Sequence, residues 1–139
     1  DALAAAGFGV REAGVRAMHD ATEGGVVGAA VEMAEAAGTG LELDYDRITV
    51  YPEVRAVCRL FGMEPEVSIS EGTLLLAVRA DRFDEFQGYM AGRGAPVTVI
   101  GRFLPRSEGI TALRDGRHTP LEHPRVDPFW AAFDRAVRG

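Results

Sequence analysis

The chain has 139 residues, 47% apolar and 26% charged, with a net charge of −6, enough for one domain with a hydrophobic core. The basic residues are scattered, which excludes a nucleic-acid-binding face built on clustered Lys and Arg. A lone cysteine, Cys58, excludes an intrachain disulfide and fits a reducing, cytoplasmic setting.

The chain starts at Asp1 rather than Met, and the expectation is a piece of a longer protein. No stretch reaches the roughly 18 apolar residues of a membrane span. DALAAAGFGV lacks the basic start and long apolar core of a secretion signal. Residues 1–13 are expected to be a lead-in from an absent N-terminal domain, either a short helix or a linker turn. Gly7 and Gly9 weaken the helix, and GFG is too short for a phosphate loop. The domain proper is taken as residues 14–139.

Residues 15–18 predict a short strand running into MHDATEGGVVGAA. Across residues 24–37, Val27, Ala30, Val31 and Ala34 recur at helical spacing, and Gly38 ends the helix. LELDY alternates and predicts a strand. Pro52 suits the first turn of the next helix, with Val54, Val57, Cys58 and Phe61 as one apolar stripe and Gly62 as its end. TLLLAV, residues 73–78, is continuously apolar and predicts a central strand covered on both faces. Asp81 is expected to cap a helix that buries Phe83, Phe86 and Met90. VTVIGRFL predicts a strand with Gly101 at a bulge. GITALRDGRHTPLE predicts a hairpin closing on Asp115-Gly116. Asp127-Pro128 starts a last helix, with Trp130, Phe133 and Val137 packing onto the body. A parallel doubly wound fold would place a binding glycine after each core strand, and this chain does not. The expected class is α+β, a two- or three-layer sandwich with helices on a mixed or mostly antiparallel sheet.

Chemistry concentrates in HDATEGG. With Thr22 as N-cap, its hydroxyl would accept from the Gly24 or Gly25 amide. Amides at a helix start carry partial positive charge, and glycine lets a ligand come close. That suits a phosphate or carboxylate. The alternative is that the glycines only permit tight helix–sheet contact. Glu23, placed in the first turn, would satisfy the dipole itself and repel a phosphate, unless Mg2+ reverses the sign. His19 and Asp20 lie between a strand and a helix, where binding groups gather. His19 is either a ligand to a substrate oxygen or a capping or surface residue. Glu71, in SISEGTLLL, is a general base, or a group that orients an amide or amine, or else a solvated turn carboxylate. His118 and His123 flank a later turn without a cysteine, so no metal-ligand set is predicted. Cys58 reads as core, and Glu32 and Glu35 as a solvated face.

AMHDATEGGVVGAAVEMAEAAGTGLELD resembles the C-terminal domain of the aminoimidazole-ribonucleotide (AIR) synthase-related, PurM-like superfamily, most closely its hydrogenase-maturation, HypE-like branch. That branch carries Met-x-Asp-Pro-Thr-Arg-Gly-Gly, then a helix ending in Glu-Ala-x-Gly-x-Gly. Met18, Asp20, Thr22, Gly24 and Gly25 match, as do Glu35, Ala36, Gly38 and Gly40. PEVRAVCRLFGMEPEVSISEGTLLLAV resembles the branch's next helix, its Leu-Gly-x-x-Pro turn and its Asn-Glu-Gly turn. The resemblance spans about residues 10–115.

The resemblance implies an ATP-dependent protein that activates an amide or carbamoyl group. ATP and Mg2+ would be bound mostly by an N-terminal domain, which would also form a homodimer. Maturation partner proteins are implied as well. This domain would close the cleft. His19, Asp20, Thr22, Glu23, Gly24 and Gly25 would line the phosphate or substrate side, with Glu71 as the catalytic candidate. Alone, the domain is expected to be inactive. Three departures stand out. Ala21 and Glu23 replace Pro and Arg, removing a bidentate phosphate partner. Ser70 replaces the Asn before Glu71. The sequence ends FDRAVRG, without the terminal cysteine that carries the carbamoyl group in the branch. Two other readings stay open: a non-catalytic ligand-binding or interaction domain that keeps the fold, and a superfamily enzyme acting on another substrate.

Overall fold

The helix that organises the molecule is the one with the smallest side chains. GVVGAAVEMAEAA, Gly25–Ala37, forms α2, and Gly25 to Val31 are all buried, with Met33 and Ala34. Small residues let neighbouring elements approach its axis, so it packs in the interior instead of lying on the surface. Gly38 ends it in a left-handed conformation, its amide returning to the Ala34 and Glu35 carbonyls.

A computed structural model describes residues 1–138. Around α2 the chain runs α1 (Ala2–Phe8), β1 (Val15–Ala21), α2, β2 (Gly40–Asp44), α3 (Pro52–Phe61), β3 (Thr73–Val78), α4 (Phe83–Ala91), β4 (Gly101–Leu104), β5 (Ile110–Arg114), β6 (Arg117–Pro120) and α5 (Pro128–Arg138). β1 and β3 form an antiparallel pair, and a second sheet has the order β4-β2-β5-β6. β2 and β5 run parallel in that sheet, while β2–β4 and β5–β6 are antiparallel. The fold is therefore α+β with a mixed sheet, as the element order predicts. The main core joins α2 to Ala21, Leu41, Leu43 and Leu75. A second cluster joins Ala5, Val15, Phe86 and Met90. The helix ending at Phe8 belongs to this cluster: Ala5 is fully buried and Phe8 meets Phe86 edge-on, 5.2 Å between centroids. No helix among the described residues is long and apolar enough to cross a membrane.

The β5–β6 hairpin closes on Asp115 and Gly116, both with positive φ, as its Asp-Gly signal predicts. Other elements differ from expectation. Among the described residues TLLLAV pairs only with β1, and Leu75 alone of its residues is buried. Its free side borders an apolar groove of about 480 Å3 whose walls include Met33, Leu43, Phe86 and Ile100. Residues 97–100 form no strand, and Gly101 begins β4 instead of bulging. Asp81 does not cap α4. A 3-10 turn, Ala80–Arg82, intervenes, and Asp81 Oδ1 accepts from Arg79 Nε at 2.9 Å. The stripes of α3 and α5 stay largely in solvent. Val54, Val57, Phe61, Trp130, Phe133 and Val137 are exposed, while Cys58 and Ala132 are the buried residues of these helices. Both helices are amphipathic, but their apolar faces border a groove of about 440 Å3 that they do not fill.

Phe86 is buried at the centre of the second cluster. Phe86→Ala is expected to lower unfolding stability by about 3–5 kcal/mol, measured by urea denaturation. A loss under about 1 kcal/mol would show that this cluster does not hold α1 and α4 together.

Candidate functional site

β1 and β3 pair so that Asp20 faces Leu74 and Ala21 faces Thr73. This register brings the turn after β1 and the turn before β3 to one end of the sheet. The Thr22 carbonyl joins them, accepting from the Gly25 amide at 3.1 Å and the Ser70 amide at 3.2 Å. Ser70 Oγ also meets Thr73 Oγ1 at 2.9 Å. The structure therefore gathers His19, Asp20, Thr22, Glu23, Gly24, Gly25 and Glu71 into one region. Asp20, Thr22, Glu23 and Glu71 are exposed there, and both glycines are buried.

The helix start differs from the expected one. Gly24, not Thr22, is the N-cap, with φ 80 and ψ 0, and no side chain of the capping residue serves the helix. Only glycine enters that left-handed region without strain, so the chain turns later than a threonine cap would turn it. Glu23 consequently precedes the helix and is not in its first turn. Gly25 follows with φ 62, and a Cβ there would lie 2.6 Å from the Ser68 carbonyl and 2.7 Å from that of Glu66. The close approach at Gly25 is thus to the backbone of residues 66–68, not to a strand.

Gly24 is different. Its amide donates to Asp127 Oδ2 at 2.7 Å, and Asp127 is only 3% exposed. Asp127 Oδ1 accepts from the Phe129 amide at 2.8 Å, in the first turn of α5. One carboxylate thus serves two helix N-termini, each attractive to negative charge. Pro124 and His123 lie over Gly24, 3.2 and 3.6 Å from where its Cβ would be. The anion position at this turn is held by the chain's own aspartate.

A second constellation lies further along α2. Glu32 Oε2 is 2.7 Å from His19 Nε2, and Glu32 Oε1 is 3.1 Å from His123 Nε2. The His19 hydrogen bond, and then that of His123, hold the Glu32 carboxyl below its ordinary value of 4.5, against the opposing effect of burial. Asp20 Oδ1 lies 3.5 Å from His19 Nδ1. Glu32, read from the sequence as a solvated face, therefore links β1, α2 and the segment after β6. His118 sits apart, 3.4 Å from Glu42. Among the described residues no group of three or more His, Cys, Asp or Glu is placed to hold a metal ion. Cys58 is buried, and desolvation pushes its thiol up, away from the thiolate form.

Sequence reasoning missed Glu32, His123 and Asp127. The available signal for Asp127 was its helix-starting Asp-Pro, which pointed to α5 alone. Its partner Gly24 is 103 residues away.

The family model described as AIR synthase related protein, C-terminal domain, matches residues 1–113. The chain belongs to this family. It is 32% identical to Carbamoyl dehydratase HypE of Escherichia coli (strain K12) over 118 residues, 84% of this chain and 35% of that protein. A crystal structure of E. coli HypE superposes with a TM-score of 0.71 and 31% identity, covering 83% of this chain and 37% of that one. Phosphoribosylformylglycinamidine synthase subunit PurL of Cereibacter sphaeroides is 36% identical over 126 residues, 90% of this chain and 15% of that protein. A HypE structure in complex with ATP shares the fold, with a TM-score of 0.67 and 20% identity over 80% of this chain and 37% of that one. The chain spans about a third of the length of the HypE relatives it matches.

Two predictions follow from the geometry. Gly25→Ala combines left-handed strain with backbone overlap and is expected to cost about 2–5 kcal/mol in urea unfolding. Gly24→Ala, whose Cβ would meet Pro124 at 3.2 Å, Gly28 at 3.3 Å and His123 at 3.6 Å, is expected to cost less. Equal costs would show that the approach of residues 66–68 is not the constraint. The second prediction concerns pH. Glu32 titrates below 4.5 when folded. It therefore contributes stability that is present above pH 4.5 and lost as pH falls through the lower folded value. Glu32→Gln should flatten that part of the acid limb, by less than about 1 kcal/mol for a half-exposed group. Urea midpoints between pH 6 and 3 measure it, and an unchanged limb would mean that the two histidines do not hold Glu32 in solution.

Proposed function

We propose that this AIR synthase-related domain is the cleft-closing part of an ATP-dependent protein that activates an amide or carbamoyl group. The observation that carries the proposal is the junction of the HDATEGG and SISEG turns at the Thr22 carbonyl. It places an exposed carboxylate, Glu71, beside a glycine-opened helix start. Asp20, Thr22, Gly24 and Gly25 would line the phosphate or substrate side, with His19 and Glu23 at its margin. Glu71 would accept a hydrogen bond from the substrate nitrogen and take its proton as the activated oxygen departs.

ATP supplies the phosphoryl group that turns a poor oxygen leaving group into a good one. Mg2+ and most ATP contacts would belong to the remainder of a longer protein, since the chain spans about a third of the HypE relatives it matches. The similarity to carbamoyl dehydratase HypE supports a carbamoyl substrate and a role in hydrogenase maturation. The similarity to a formylglycinamidine synthase subunit, extending over 90% of the chain, supports a second reading, amidine formation from an amide by the same activation.

Calorimetry and turnover on the full-length protein containing this domain test the proposal. An ATP analogue with Mg2+ is expected to bind the Glu71→Ala protein within about twofold of the unaltered one, while kcat falls by about 100-fold or more. The domain alone is expected to turn over no ATP. A full-length protein that neither binds nor consumes ATP with a carbamoyl donor or an amide would overturn the proposal.

A further inference from the structure

The closed glycine turn conflicts with the role proposed for it. A phosphate oxygen at this helix start would need the Gly24 amide, and Asp127 Oδ2 already holds that amide at 2.7 Å. The space above is filled by Pro124 and His123, and His123 is fastened to Glu32. All three contacts come from one short segment after β6.

Apart from these contacts, little apolar burial holds that segment, with Glu122, Arg125 and Val126 exposed. Leu121 marks its root: its amide donates to the Ile110 carbonyl at 3.0 Å and its side chain packs against the main core. Before it, β6 is exposed along its whole length at the edge of the sheet. Beyond it, α5 buries only Ala132, and Trp130 and Phe133 are about half exposed. Few buried apolar contacts give a low cost of local opening. The carboxylate is what couples the pieces, because it bonds both Gly24 and Phe129.

We propose that residues 122–127 form a strap that closes the glycine turn against anions, with Asp127 seated where a phosphate oxygen would sit. An oxyanion reaches the Gly24 amide only when the strap lifts, and lifting frees the N-terminus of α5 at the same time. The inference rests on the reading that this turn faces the phosphate or substrate side.

The test uses the chain itself with inorganic pyrophosphate as probe, at constant ionic strength, followed by amide NMR and hydrogen exchange. In the unaltered chain, pyrophosphate should perturb Gly24 and at the same time speed exchange at Phe129 and Trp130. In Asp127→Ala, protection of the Gly24 amide should fall and pyrophosphate should bind about tenfold tighter or more, with Asp127→Asn between the two. His123→Ala, which loosens the strap and leaves the cap of α5 intact, should move affinity in the same direction and serves if Asp127→Ala does not fold. Pyrophosphate that reaches Gly24 while Phe129 stays protected would overturn the strap. So would variants that expose Gly24 without any gain in pyrophosphate affinity. A strap that lifts for pyrophosphate in a protein that never uses ATP would leave this inference standing and sink the activity proposed above.

Discussion

The candidate site depends on how closely the first turn of α2 lies against the backbone of residues 66–68. Gly25 has no room for a side chain there, and Gly24 must turn left-handed to deliver the chain to that position. With the turn pinned, the Thr22 carbonyl faces the Ser70 amide, and the loop carrying Glu71 is fixed beside the motif. The same turn leaves the Gly24 amide pointing away from the helix, where Asp127 meets it. Helix position, turn junction and carboxylate contact are thus consequences of one close approach between two backbones.

Local chemistry made much of this legible in the sequence. The helical spacing of Val27, Ala30, Val31 and Ala34 located α2, and the small residues around them explain its depth. Asp115-Gly116 announced its hairpin because few other dipeptides accept two positive φ angles. The cap was misjudged for a physical reason. Threonine is a good N-cap, but a glycine two residues later offers a conformation threonine does not favour, and the tertiary approach of residues 66–68 selects that route. The stripes of α3 and α5 show the limit of periodicity. Spacing reveals that Val54, Val57, Trp130 and Phe133 share helix faces, but not whether anything covers those faces. Likewise TLLLAV was apolar enough for a central strand, yet apolarity does not count the strands beside it. Asp127 and His123 were invisible as site residues because their partners, Gly24 and Glu32, lie in a distant part of the chain.

Charge sharpens the question of what the turn can hold. Where the HypE-like pattern has an arginine, this chain has Glu23; Asp20 and Asp127 stand around the same helix start, and Glu32 lies further along α2. Three of these carboxylates have local partners: Glu32 pairs with His19 and His123, Asp20 lies 3.5 Å from His19 Nδ1, and Asp127 takes the two helix amides. Asp20 and Glu23 face solvent. An incoming oxyanion would therefore meet uncompensated negative charge at the rim and an occupied donor within. Displacing Asp127 changes both terms at once, because it removes one carboxylate and returns one amide.

The order of the chain gives this arrangement a further consequence. The turn and the Glu71 loop lie within residues 1–113, the part matched by the family model, whereas His123, Pro124 and Asp127 lie beyond it. The turn thus belongs to the part matched by the family model, and the proposed strap to the residues that follow. Because Asp127 also starts α5, access is tied to a helix whose Trp130, Phe133 and Val137 are turned to solvent. Whatever holds or frees α5 would then bias the strap, since the two share a single carboxylate and neither can give it up alone.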